Sequence, residues 1–105
     1  MTPEQQRIAI AEACGWTDVR RENKGEFGGL RGVKPNDVRM VVPSYCRDLN
    51  AMHEVEKVLS LNLRFSYIQN LCRLTQLSSA DWGFIHATAA QRAEAFLKTL
   101  NLWTP

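Results

Sequence analysis

The chain has 105 residues, 45% hydrophobic and 23% charged, with a net charge of +2. This fits one domain, residues 1–105, which can bury a core without staples, and it excludes a disordered or fibrous chain. No apolar run is long enough to span a membrane. Glu4 and Glu12 interrupt the region where a secretion signal would be basic and then apolar, so a cytoplasmic protein is expected.

Thr2-Pro3-Glu4-Gln5 predicts a helix start: Thr2 caps, Pro3 suits the first turn, and Gln5 completes a capping box. The helix is expected over residues 3–14 and ends at Gly15, where a left-handed residue is cheapest as glycine. Trp16 is then placed to pack back on the helix end. Residues 16–22 fit a short strand. Residues 23–32 hold four glycines and read as a loop, with Phe27 and Leu30 as anchors. A turn at Pro35-Asn36-Asp37 leads into a β-rich run, 38–42, with Val38, Met40 and Val42 on one face. Pro43 ends it.

Asp48 is the expected N-cap of a helix over 48–59, with the apolar stripe Met52, Val55, Val58 and Leu59. Asn50, His53, Glu54 and Lys57 share the opposite face at i, i+3, i+4, i+7. Residues 61–75 carry two periodicities. Leu61, Leu63, Phe65 and Tyr67 alternate as in a strand, whereas Leu61, Phe65, Ile68 and Cys72 recur as in a helix, with Leu71 alongside. Length and composition favour the helix. Residues 78–81 read as a loop and 82–86 as a short extended piece. Thr88 opens a last helix through a second capping box with Gln91, and Ala89, Ala93, Phe96, Leu97 and Leu100 form its buried stripe. Asn101 closes the helix, and Trp103 is expected to dock on the body. The sum is an α+β domain, three to four helices packed on a small sheet.

Two blocks resemble small bacteriophage and prophage proteins of the phage ABA-sandwich domain family: PSYCRDLNAMHEVEKVL at 43–59 and HATAAQRAEAFLKTL at 86–100. The helix ending in Gly15-Trp16 also suits that layout. The resemblance covers roughly half of the chain, with the blocks in the same order. It implies an α-β-α sandwich and a phage or prophage origin, hence the host cytoplasm, and no particular activity.

The residues themselves offer little catalytic chemistry. His53 with Glu54 and Asp48 is the most site-like group, but it lacks the second histidine of a zinc helix, and a solvated helix face explains it as well. Cys14, Cys46 and Cys72 are odd in number and far apart, so reduced thiols packing as small hydrophobes are expected. A pairing of Cys46 or Cys72 with His53 or His86 would need an activated thiolate. The glycines of 25–32 match no phosphate loop. Arg20, Arg21, Lys24, Arg31 and Lys34 near Phe27 are candidates for a nucleic-acid or anion contact, weakened by the interleaved Asp18, Glu22 and Glu26.

No metal and no cofactor are implied. The expectation is therefore a non-enzymatic phage or prophage accessory protein that binds an unidentified protein or small molecule. Its candidate contact surface is Tyr45 with Asn50, His53 and Glu54. The competing account buries Tyr45 and leaves Asp48 as a cap. Two other classes stay open: an anti-defence factor that inhibits a host immune protein or sequesters its nucleotide signal, and a nucleic-acid-binding accessory protein.

Overall fold

The computed structural model describes residues 1–22, 29–75 and 86–105. Among these the fold is α+β: helices α1 (Pro3–Ala13), α2 (Leu49–Glu56), α3 (Leu61–Thr75) and α4 (Ala89–Thr99), with strands β1 (Thr17–Glu22), β2 (Gly29–Val33) and β3 (Arg39–Val41). The strands form an antiparallel meander in the order β1-β2-β3, with Glu22 opposite Gly29 and Val33 opposite Arg39. The β1–β2 register shifts between Thr17 and Arg20, where Asp18 takes a φ of 49°.

Helix α1 begins with the capping box, in which the Gln5 amide donates to Thr2 Oγ1 and the Thr2 amide donates to Gln5 Oε1. Gly15, at a φ of 91°, ends it. The Gly15 amide donates to Glu12 O and the Trp16 amide to Ala11 O, so orphan helix carbonyls are satisfied. Trp16 is thereby folded back and buried, as expected. Arg7, on the same helix, donates from Nε to Pro43 O at 3.2 Å and from Nη2 to Val42 O.

The loop expected over 23–32 is corrected in its last part, because Gly29–Val33 is a strand with Leu30 and Gly32 facing inward. Gly32 serves close packing there. A Cβ on it would lie 2.9 Å from Val19 Cγ2 and 3.2 Å from Trp16 Cε3. Phe27 and Lys24 lie outside the described residues. The face expected on 38–42 is also only partly realised. Val42 is fully buried, but Val38 and Met40 remain about half exposed, because β3 is the outermost strand and runs beyond the helical cover.

Helix α4 is the hub: it packs on α1, α2 and α3, while α1 is the helix that lies against β1. Phe96, Leu97, Ile10, Met52, Leu71, Leu30 and Val42 form the fully buried centre. Both ends of α4 follow the sequence. The Thr88–Gln91 box is present, and after Asn101 (φ 59°) the Leu102 amide donates back to Leu97 O at 2.8 Å. Trp103 is half-buried, with Lys98 Nζ 5.6 Å from its ring centre.

Residues 61–75 are a helix, and the stripe expected for it is buried only in part, since Leu71 is buried and Ile68 and Cys72 are half-buried. Tyr67 and Leu71 face the core with Leu63 and Leu74 partly buried, whereas Leu61 and Phe65 are 68% and 64% exposed. Asn70 favours this rotation by donating to Thr99 Oγ1 of α4 at 3.1 Å. The pieces expected at 78–81 and 82–86 lie outside the described residues, save His86. No described helix is long and apolar enough to cross a membrane.

Candidate functional site

Helix α2 is set by Asp48, whose Oδ1 accepts from the Ala51 amide at 3.1 Å. Met52 and Val55 point inward, so Asn50, His53, Glu54 and Lys57 are left on the exposed face. Glu54 pairs with Lys57 Nζ at 2.9 Å, a fully solvated contact. Tyr45 does not join this surface. It is 3% exposed, and burial pushes its hydroxyl up to about 12, with Cys14 adding to the effect and Arg7 opposing it. Of the four residues expected to form a contact surface, Asn50, His53 and Glu54 are exposed and Tyr45 is not. The turn at Pro43 tucks Tyr45 under α2, where it lines a cleft of about 280 Å³ together with Glu54, Lys34, Cys14 and Trp16.

The basic residues of the sheet are dispersed. Arg21 Nε donates to Glu4 at 2.8 Å, Arg20 lies 3.6 Å from Asp18 and 3.8 Å from Glu22, and Arg39 bridges Glu22 and Asp18. Arg31 has its Nε buried without a partner, and Lys34 belongs to the small cleft. The acids interleaved in the sequence thus become ion pairs in space.

Burial raises the Cys14 thiol to about 11 and also raises Cys46, against the opposing charges of Arg7 and Arg47. Cys46 donates to Gln6 Oε1 at 3.3 Å. All three cysteines are free and partly buried. Among the described residues no cluster of His, Cys, Asp and Glu is placed to hold a metal ion.

A larger cleft, of about 460 Å³, opens where the end of α2 meets α3 and α4. Leu59, Ile68, Leu71 and the Tyr67 ring supply its apolar walls, and Glu56, Lys57, Arg64 and Arg92 its charges. Arg92 is 8% exposed. Its Nη1 donates to Glu56 Oε2 at 2.9 Å and its Nε to Ala87 O at 3.1 Å, a geometry that makes the buried charge tolerable. His53 Nδ1 lies 2.9 Å from the other oxygen, Glu56 Oε1. The exposed ridge is thereby wired to the buried pair through a single carboxylate.

Beside that pair sits Tyr67, 6% exposed, whose buried hydroxyl makes no hydrogen bond of good geometry among the described residues. Burial pushes it upward, the nearby Glu56 carboxylate adds to this, and the Arg92 guanidinium opposes it. The oxygen therefore feels Glu56 without making a bond of good geometry to it.

Sequence reasoning missed Glu56, Tyr67 and Arg92. One signal was available: Arg92 falls within the apolar stripe of its helix, between Ala89 and Phe96, where a charge needs a buried partner. Nothing comparable marked Glu56 or Tyr67. Compared with known proteins, the chain matches no family model, no curated protein and no solved structure.

Proposed function

We propose that the chain is a non-enzymatic binding protein, a phage or prophage accessory factor, and that the cleft between α2, α3 and α4 is where it binds. The observation that carries this reading is the cleft itself, at about 460 Å³ within the range of small-molecule sites. Apolar walls and a few convergent polar groups are what such a site needs, and the thiols raised by burial argue against nucleophilic chemistry elsewhere. The phage or prophage origin is supported by the blocks at 43–59 and 86–100, which build α2 and α4, two of the three cleft walls.

Among the other readings, sequestering of a host nucleotide signal draws support from Lys57, Arg64 and Arg92 around the cleft. Nucleic-acid binding by the sheet draws little, because Arg20, Arg21 and Arg39 already face carboxylates. The test is native mass spectrometry of the chain recovered from cells. A small-molecule adduct is expected on the wild type and absent from Ile68→Trp, which fills the cleft from a half-buried position. An adduct that persists in Ile68→Trp places binding elsewhere.

A further inference from the structure

We propose that the α2–α3–α4 cleft takes a small organic anion, its apolar body lying against Leu59, Ile68 and Leu71 and its anionic head meeting Arg64 and Lys57. This rests on the reading of that cleft as the binding site and adds the class of ligand.

Charge selects the sign of the ligand. Three cations and one carboxylate line the cleft, an excess of two positive charges. The carboxylate is not open to a ligand, because Arg92 holds one oxygen of Glu56 and His53 approaches the other. Arg64 is different: among the described residues its side chain makes no ion pair, and it stands exposed at the rim on the first turns of α3. Lys57 is held only by Glu54 in a solvated pair that a better partner can displace. An ammonium ligand would have to approach these charges with no free acid among the described lining residues to meet it. Size selects a small molecule: the volume suits a body of one or two rings or a short acyl chain and not a folded partner, which needs a far larger contact area.

The anionic head can be a phosphate ester or a carboxylate, and calorimetric titration separates the two. The probes are 1-naphthyl phosphate and octanoate, each beside its neutral counterpart, 1-naphthol and octanol. At least one anion is expected to bind about tenfold or more tightly than its neutral counterpart, the worth of a charge-assisted contact. The arm that binds names the head group. Arg64→Gln is expected to erase that preference with the melting temperature unchanged, since the residue is exposed. Equal binding of anion and neutral counterpart, or a preference that survives Arg64→Gln, overturns the anion assignment and leaves the cleft as a binding site. Absence of binding for all four probes up to about 1 mM overturns the anion assignment, and adducts of another kind in the native spectra would then still uphold the cleft.

Discussion

Helices α3 and α4 lie against each other, yet they stand in opposite relations to water. Helix α4 buries seven of its eleven residues, Arg92 and Thr99 among them, because it touches α1, α2 and α3. Helix α3 is longer, at fifteen residues, but only Tyr67 and Leu71 are fully buried. One helix is enclosed by neighbours and its polar groups must find partners inside. Among the described elements the other has a single extensive partner, and it leaves a second apolar face, Leu61 and Phe65, in solvent. Burial of a helix follows the number of elements around it more than its own hydrophobicity. The cleft opens where the enclosed helix and the open one diverge around Arg92 and Arg64.

Substitution can break this contrast. Phe96→Ala, at the centre of α4, should cost about 3–5 kcal/mol in chemical denaturation, whereas Phe65→Ala on the open face of α3 should stay within about 0.5 kcal/mol. Equal losses would mean that α3 is covered as α4 is. Glu56→Gln tests the polar side of the enclosure. It removes the Glu56 charge from Arg92 Nη1 and should cost about 1–3 kcal/mol. Asn70→Ala removes the bond that fixes the rotation of α3 on α4, and a loss of about 1 kcal/mol is expected. The smallest effect belongs to Tyr67→Phe, which removes a buried hydroxyl with no hydrogen bond of good geometry among the described residues, so the denaturation midpoint should hold or rise. A clear loss there would show that the oxygen is bonded in solution.

The same contrast governs what could be read from the residues alone. Helix ends were legible because capping is local: Thr2 with Gln5, Asp48, Thr88 with Gln91, Gly15 and Asn101 act within a few positions of themselves. The stripe of α4 was legible because its apolar residues fall on one side. Helix α3 has apolar residues on two sides, and periodicity could not choose between them. The contact of Asn70 with Thr99 favours one of them, and it joins residues 29 positions apart. Gly29–Val33 was hidden for a related reason. Gly32 looks like a turn residue until Trp16 and Val19 are seen lying on it. The burial of Tyr45 was one of two accounts left open, because a tyrosine after a turn can serve either side of the chain and only packing decides which.

The pair of bonds from Arg7 to the carbonyls of Val42 and Pro43 has a consequence for solubility. Strand β3 is three residues long, and among the described residues it pairs with β2 alone, so its other edge is open to strands from other molecules. Pro43 lacks an amide to offer such a strand, and the guanidinium of α1 occupies the Pro43 carbonyl, whereas the Val42 amide is turned toward β2 and donates to Leu30 O at 2.9 Å. Helix α1 thus acts as a stopper on the sheet as well as a cover for it. Replacing Arg7 with leucine would free the Pro43 acceptor beside the exposed Met40 and Val41, and the expected result is concentration-dependent self-association visible by light scattering.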